Sequence, residues 1–313
     1  MRKECAVPMK SRQRASPANS ASEKATMIER IAILGTGLLG TSVGLALRAA
    51  GFKGSIVGWN RSAEGAQKAF ELGAIDSIAA DPIEAAQQAQ VTLVAVPIYA
   101  TIDFMEKLAG VLGPEHLVTD VGSTKRLIVE AAARLYNTPE RAAFLPGHPM
   151  AGKERGGADL SDADLFRSAV WLFTDDPDAR RTPHGAELVR GWREWVAAMG
   201  SRVIDLDPSR HDELVAWVSH LPQFVATALS ALLEEEVGDA PELKDVGGRA
   251  LREMTRLGAS PFSMWRDIAH TNTEPVEHAL LALEQRLAHL RENLKTPELR
   301  DEFTQANRFR QGQ

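Results

Sequence analysis

Residues 31–40 read Ile-Ala-Ile-Leu-Gly-Thr-Gly-Leu-Leu-Gly, a short apolar run that leads directly into three glycines and then into helical spacing. Gly35 suits the backbone angles of a tight turn, Gly37 lets a pyrophosphate approach the main chain, and Gly40 lets the following helix pack closely on the strand. The phosphates would meet the positive N-terminus of that helix. A second strand pattern at residues 55–59 completes the context that the motif requires. The segment therefore predicts a dinucleotide-binding βαβ unit.

Short β-branched runs alternate with helical stretches over the first two thirds of the chain. The run at residues 91–96 is continuously apolar, which is typical of a strand buried on both faces of a sheet. Strands that alternate with helices of about ten or more residues indicate βαβ units. We therefore predict an α/β fold with a Rossmann-type parallel sheet. The further predicted strands are residues 117–121, 143–145, 169–173 and 202–206.

Beyond residue 207 the pattern is almost entirely helical, with long helices predicted at residues 214–233 and 276–294. We expect a dinucleotide-binding domain over residues 28–207, followed by an all-helical dimerisation and substrate domain over residues 208–313. Leucines at three- and four-residue spacing give the helices wide apolar faces, which soluble monomers rarely leave exposed. We therefore expect a homodimer. The clearest such face carries Leu280, Leu283, Leu287 and Leu290.

Residues 1–27 differ from the rest of the chain. They are polar and lack the apolar region of a secretory signal. We expect a disordered tail or a start codon assigned too early, since Met27 directly precedes the first strand pattern.

Composition argues against several classes of partner. The net charge of −6 disfavours nucleic acid and anionic membranes, and no apolar run approaches the roughly 20 residues of a membrane-spanning helix. Cys5 is the only cysteine, so an intramolecular disulfide and a cysteine-based zinc site are excluded. We expect a cytoplasmic protein that acts on a small molecule without a metal.

The second strand pattern ends in Gly-Trp-Asn60-Arg61. NAD sites usually place an acidic residue here to grip the ribose 2′-hydroxyl, whereas a nearby arginine accommodates a 2′-phosphate. We therefore expect NAD(P) as the cofactor. Asn60 and Arg61 favour NADP, unless Arg61 is merely a solvated loop charge. The other predicted cofactor contacts are Leu38, Leu39, Val96, Pro97 and Ser123.

Four sequence islands follow in a characteristic order: DVGSTK at residues 120–125, HPMAG at 148–152, SHLPQ at 219–223, and a TR…SP…MW-D stretch within 252–267. In this set the chain resembles the prephenate and arogenate dehydrogenase family of tyrosine biosynthesis, over roughly residues 29–295. Taken singly, each island has a plainer interpretation. Ser123 could be a helix N-cap, and His148 could be a structural loop histidine.

The resemblance implies an oxidoreductase. The family oxidises a cyclohexadienol at its C4 hydroxyl and passes hydride to the nicotinamide, while the ring carboxylate leaves as CO2 and the ring becomes aromatic. That reaction needs a proton acceptor and a cation for the substrate carboxylates. The implied activity is the NAD(P)-dependent oxidative decarboxylation of prephenate to 4-hydroxyphenylpyruvate. The alternative is an arogenate dehydrogenase that gives tyrosine directly.

The resemblance also implies roles for individual residues. His148 matches the catalytic histidine, and its ordinary pKa near 6.5 suits a proton acceptor. Ser123 matches a serine that helps to orient this histidine and the substrate, and Arg256 matches an arginine that binds a carboxylate. Trp265 matches an aromatic that shapes the substrate pocket, unless it is an ordinary core tryptophan. The predicted substrate contacts are Arg256, Gln223, Ser219 and Trp265.

Two positions depart from the family pattern. Gln223 stands where many members carry a histidine that contacts the substrate side chain, and Glu253 stands where an aspartate is usual. The first departure leaves open the choice between a keto acid and an amino acid substrate.

Two competing interpretations remain. Dehydrogenases of β-hydroxy acids share this domain order but use a lysine on the first long helix of the second domain, and residues 214–233 contain no lysine. A non-catalytic dinucleotide-sensing module is the alternative from a different class. Such a module would be expected to keep the glycines and lose the pair His148 and Arg256, both of which are present.

Overall fold

The structure is a computed structural model that describes residues 28–312. The predictions for residues 1–27 lie outside the described residues. The strands are β1 Arg30–Leu34, β2 Ser55–Trp59, β3 Ser77–Ile78, β4 Val91–Val94, β5 Leu117–Asp120, β6 Ala143–Leu145, β7 Gly147–Pro149, β8 Val170–Phe173 and β9 Arg202–Asp205. The α-helices are α1 Leu38–Ala49, α2 Ala63–Glu71, α3 Pro82–Gln87, α4 Ile98–Ala109, α5 Arg126–Leu135, α6 Pro183–Ala198, α7 Pro208–Val215, α8 Leu221–Val237, α9 Leu243–Val246, α10 Arg249–Thr255, α11 Phe262–Thr271, α12 Thr273–Glu292 and α13 Glu298–Gln311.

The main sheet has the strand order β3-β2-β1-β4-β5-β6, and its neighbouring strands are all parallel. Every residue of β4 is buried, because helices cover both faces of the sheet. Ile31 and Ile33 of β1 point into one core cluster, and Ala32 and Leu34 point into the other. The predicted Rossmann-type domain is confirmed.

Three of the described strands lie outside the main sheet. β7 pairs antiparallel with β8, and β8 pairs parallel with β9. The runs that predicted strands at 169–173 and 202–206 therefore form strands as expected, but in a separate small sheet. The side-chain pattern of these runs determines that they form strands, but it does not determine which strands they pair with. Trp171 and Phe173 are buried in the core beneath this second sheet.

The second part of the chain is helical, as predicted. Asp207 caps α7 by accepting hydrogen bonds from the backbone N–H groups of Ser209 and Arg210, and Pro208 occupies the first turn, where a missing N–H costs nothing. A π-helical turn, Ala216–His220, joins α7 to α8 in one continuous helix. π-Turns occur often at functional sites. The predicted helix at 214–233 is the central part of this longer helix.

Helix α11 packs the helical part of the chain against the α/β part. Its residue Ile268 belongs to the same buried cluster as Leu34 and Val94 of the main sheet. The hydroxyls of Thr124, before α5, and Thr271, at the end of α11, are 2.7 Å apart and hydrogen bonded. The junction between the two parts is therefore packed, and it lies beside the carboxyl end of β5.

Candidate active site

The glycine turn follows β1 at the carboxyl edge of the sheet. Gly35 has φ +103°, and a Cβ there would clash with the carbonyl oxygen of Ala95. A Cβ at Gly40 would clash with the carbonyl oxygen of Gly35. Among residues 28–312, a Cβ at Gly37 would meet nothing within 4 Å, and no side chain caps the N-terminus of α1 there. The turn thus leaves an open, positively polarised helix end, which fits the pyrophosphate of a dinucleotide.

Other predicted cofactor contacts gather at the same edge. Val96 follows β4 and lies against Gly35, and Pro97 is exposed at the start of α4. Leu38 and Leu39 begin α1; Leu38 is buried, and Leu39 is partly buried and packs against the core. Because β1, β4 and β5 are neighbours, the loop that carries Ser123 emerges beside them. These predicted cofactor contacts therefore lie at one edge of the sheet, and we call them the cofactor cradle.

Asn60 and Arg61 lie at the end of β2, next to this cradle. Asn60 is partly buried, and its amide nitrogen occupies the space beside Gly65 in the first turn of α2. Arg61 is exposed, and its side chain forms no hydrogen bond or ion pair with a described residue. Its guanidinium is therefore free to meet a phosphate at this edge.

His148 lies in β7, and its ring is buried. Its Nδ1 is 2.9 Å from Nε2 of His211 in α7, and Nδ1 of His211 is 2.8 Å from the carboxylate of Asp212. Burial lowers the pKa of His148 well below 6.5, and the positive charges that His211 and Lys125 can carry lower it further. The expectation of an ordinary pKa is therefore wrong. His148 is held neutral, as a proton acceptor requires.

The DVGSTK loop, residues 120–125, holds the strand that carries His148 in place. It does so through two residues that were not singled out from the sequence. Lys125 and Asp120 form an ion pair with both side chains fully buried. Asp120 also accepts hydrogen bonds from the backbone N–H groups of Gly122, at 2.7 Å, and Gly147, at 3.1 Å. Since Gly147 immediately precedes His148, this carboxylate fixes the position of β7 relative to the cofactor cradle.

Ser123 is partly buried in that loop, and its hydroxyl forms no hydrogen bond with any residue of 28–312. In this structure the ring partner of His148 is His211, and not Ser123. Ser123 is not the N-cap of the following helix either. Asp212 caps α5 from outside, because its two oxygens accept hydrogen bonds from the N–H groups of Lys125, at 2.7 Å, and Arg126, at 3.0 Å.

The predicted substrate contacts of the helical part lie around the start of α8. Gln223 is buried, and its amide nitrogen donates to the carbonyl oxygen of Leu257 and to Thr227, while its oxygen accepts from Ser260. Ser219 is partly buried in the π-turn. The side chain of Gln223 is thus fully engaged within the protein.

Trp265 packs edge-on against His220, at a ring separation of 5.8 Å, and against Phe224, at 5.9 Å. Its Nε1 is buried without a hydrogen-bond partner among the described residues. Arg256 lies on the turn before α11 and forms an ion pair with Glu154, in the loop after β7. The ion pair brings the helical part to within six residues of His148 along the chain.

Four residues around His148 were not predicted from the sequence: His211, Asp212, Asp120 and Lys125. One signal was available for the first two. Asp207-Pro208 marks a helix start, so His211 and Asp212 lie in the first turns of a helix directly at the junction between the two parts. Nothing in the sequence indicated that these turns face β7.

Comparison with known protein families decides the relationship. The model of the prephenate dehydrogenase nucleotide-binding domain matches residues 43–204, and that of the prephenate dehydrogenase dimerization domain matches residues 207–308. The chain belongs to the prephenate dehydrogenase family. The resemblance read from the four sequence islands is confirmed.

Individual members of the family extend this result. The prephenate dehydrogenase of Lactococcus lactis subsp. cremoris is 31% identical over 248 residues, which are 79% of this chain and 66% of that protein. The cyclohexadienyl dehydrogenase of Zymomonas mobilis is 28% identical over 79% of this chain and 82% of its own length. The chain thus spans just under two thirds of the length of the first relative.

Two solved structures share the whole fold. Prephenate dehydrogenase from Aquifex aeolicus, in complex with hydroxyphenyl propionate and NAD+, superposes with a TM-score of 0.79 and 30% identity over 91% of this chain and 98% of that one. Synechocystis arogenate dehydrogenase superposes with a TM-score of 0.71 and 29% identity over 90% and 99%. The similarity therefore covers both the cofactor cradle and the helical part.

Proposed function

We propose that this protein catalyses the NAD(P)-dependent oxidative decarboxylation of prephenate to 4-hydroxyphenylpyruvate. The observation that carries the proposal is His148, whose buried ring lies in β7 of the second sheet, in contact with β5 of the sheet that holds the glycine turn. Burial lowers its pKa, which favours the neutral ring. Support also comes from the Aquifex aeolicus relative, whose structure contains NAD+ and hydroxyphenyl propionate. That ligand carries a ring hydroxyl and a carboxylate, the same two groups that the reaction product carries.

The residues of the site fit each requirement of the reaction. When bound at the glycine turn, a nicotinamide dinucleotide supplies the hydride acceptor. His148 takes the proton of the C4 hydroxyl as that carbon is oxidised, and it returns the proton to the phenol oxygen once loss of CO2 has made the ring aromatic. Arg256 offers a planar guanidinium that binds a substrate carboxylate through two hydrogen bonds. Trp265 and the π-turn around Ser219 line the side of the substrate.

Gln223 bears on the choice between prephenate and arogenate. Both donors and the acceptor of its amide are used inside the protein. It therefore offers neither a positive charge to a keto acid nor a negative charge to an amino group. We propose prephenate as the substrate, because none of the predicted substrate contacts of the helical part is a carboxylate that could pair with the ammonium group of arogenate. The side-chain carboxylate that Arg256 would bind is common to both substrates. Arogenate dehydrogenation is the alternative outcome.

We propose a homodimer formed by the helical domain, with the domain boundary at residue 207. Contrary to the expectation from the sequence, one helix of the described residues, Pro208–Val237, is long and apolar enough to cross a membrane by length and composition alone, and only 28% of its apolar window is buried. Its first half contains the buried polar residues His211, Asp212 and His220, which are costly in lipid. A second copy of the chain is the better candidate to bury the apolar surface of this helix, because the family model that matches this region is a dimerization domain. We also propose that the protein is located in the cytoplasm.

Initial rates with purified protein test the activity. Prephenate and arogenate are each supplied with NAD and with NADP, and NAD(P)H formation is followed together with CO2 release. We expect turnover of prephenate with both cofactors. A higher kcat/KM on arogenate would replace the proposed substrate, and the absence of turnover on both would overturn the proposed function.

A further inference from the structure

A chain of buried polar side chains leads away from His148 into the helical domain. His211 and Asp212 are buried, and neither belongs to the reaction as derived above. We propose that they are positioning residues. Asp212 holds His211 with its proton on Nδ1, and His211 in turn holds His148 with its proton on Nδ1 and its lone pair on Nε2. The proposal rests on the proposed role of His148 as the proton acceptor.

The direction of the first hydrogen bond follows from Asp212. Burial raises the pKa of its carboxyl, but hydrogen bonds from His211 and from the N–H groups of Arg126 and Lys125 outweigh burial and hold the pKa below its ordinary value. Asp212 is therefore a carboxylate, which can only accept. Its neighbour at 2.8 Å, Nδ1 of His211, must be the donor.

The second hydrogen bond then follows from His211. Burial lowers the pKa of this histidine, so its ring is neutral and has one donor and one acceptor. Since Nδ1 is the donor, Nε2 carries the lone pair. At 2.9 Å from it, Nδ1 of His148 must donate, because two lone pairs would otherwise face each other. The remaining nitrogen of His148, Nε2, is left with the lone pair that accepts a proton from substrate.

The groups around the pair keep this arrangement fixed. Asp212 is held by the N-terminus of α5, and its backbone oxygen accepts a hydrogen bond from Asn272 at 2.8 Å. The charged or titratable neighbours are Lys125, which is paired with Asp120, and His220, which lies 3.2 Å from the Asn272 amide through Nδ1. The His148 tautomer is thus set by residues of both domains.

A plainer role for these residues is purely structural: Asp212 caps α5, and His211 fills space. Kinetics separate the two roles. Asp212→Asn and His211→Phe each remove the fixed tautomer, and we expect kcat to fall about 10²-fold or more, with KM and the Kd for cofactor within about threefold. Combined with His148→Asn, either substitution should lower kcat no further, because its effect acts through the missing ring.

Thr271→Val is the matched control. It removes the equally buried Thr124–Thr271 hydrogen bond across the same junction, and we expect kcat to stay within about twofold of wild type. A further loss of kcat in the double variants, of the same size as in the single ones, would overturn the proposal. It would show that His211 or Asp212 acts independently of His148.

A spectroscopic measurement decides the tautomer without any activity. Long-range ¹H–¹⁵N correlation spectra of the full-length, ¹⁵N-histidine-labelled protein report which ring nitrogen carries the proton, and His148→Asn identifies the His148 signals. We expect the proton on Nδ1 in wild type and its loss from that position in His211→Phe. A wild-type proton on Nε2 would overturn the inference even if a variant failed to fold. Turnover like that of wild type in His148→Asn would instead overturn the proposed role of His148, and the absence of wild-type turnover on both substrates would overturn the proposed function. Either outcome would leave the tautomer result standing.

Discussion

The guanidinium of Arg256 forms an ion pair with the carboxylate of Glu154, across the space between the helical domain and the loop after β7. The Arg256 side chain is 61% exposed, so the pair is close to solvent. Exposed ion pairs contribute only about 0–1 kcal/mol. A substrate carboxylate that binds Arg256, as we propose, would therefore displace Glu154 at little cost.

Arg256→Gln is expected to raise KM by about tenfold or more, since the loss of a charge-assisted hydrogen-bonded pair costs about 1.5–3 kcal/mol. Steady-state kinetics on prephenate and arogenate measure the change. Arg249→Gln is the control, because Arg249 already pairs with Glu253 on its own helix and should leave KM unchanged. An unchanged KM in Arg256→Gln would show that a different cation, Arg249 or Arg252, binds the substrate carboxylate.

His148→Asn is expected to lower kcat about 10²–10⁴-fold, which is the usual contribution of a general base. Because the proton moves only during reaction, the binding of substrate and cofactor should stay near wild type. Rates at pH 7.5 and equilibrium titration of the cofactor separate the two effects. Turnover like that of wild type would remove His148 from the mechanism.

The stability of the protein should fall as the pH drops from 7.5 to 5.5. Burial lowers the pKa values of His148, His211 and His220, that of His220 to about 4. The unfolded chain therefore binds protons below pH 6.5 that the folded chain does not, so the stability present above that pH is lost on acidification. His220 alone accounts for about 1 kcal/mol over this range.

Urea unfolding at the two pH values measures this loss. His220→Asn should reduce the difference between them, whereas His270→Asn, at an exposed position, should leave the difference unchanged. Equal stability at pH 7.5 and 5.5 in wild type would contradict the neutral state of the three histidines.

Light scattering at micromolar concentration is expected to give about twice the chain mass of 34.0 kDa. The reason is the set of large apolar side chains left exposed on the helical part, among them Leu281, Leu287 and Phe262. Leu281→Glu should weaken the dimer, while Ile78→Glu, at an exposed position of the α/β part, should not. A mass of one chain would contradict the dimer.

NADP is expected to serve at least as well as NAD. Asn60 places no negative charge against a 2′-phosphate, and the free guanidinium of Arg61 is available to bind one. Asn60→Asp should shift the preference toward NAD by a few kcal/mol at most, because the contact lies near a solvent-exposed rim. The values of kcat/KM for both cofactors on both proteins measure the shift. Strong selectivity of wild type for NAD would show that Arg61 points into solvent.

Local features of the sequence were sufficient for the cofactor cradle and the fold class. The glycines at 35 and 40 are required by contacts within a few residues or with the neighbouring strand, and the buried runs of β1 and β4 follow from hydrophobicity alone. The same holds for the helical part, whose apolar spacing is a property of each segment. The four islands identified the family because each lies within a short stretch of the sequence and can be read without the fold.

Only the tertiary structure decided what surrounds His148. Its ring partner His211 is 63 residues away in sequence, and the capping of α5 by Asp212 spans 87 residues. The lowered pKa of His148 and the placement of β8 and β9 in a second sheet also depend on which surfaces meet. A sequence pattern determines whether a residue is suited to burial or to hydrogen bonding. Packing between distant segments determines which group such a residue contacts. That contact determines its charge and which of its atoms carries the proton.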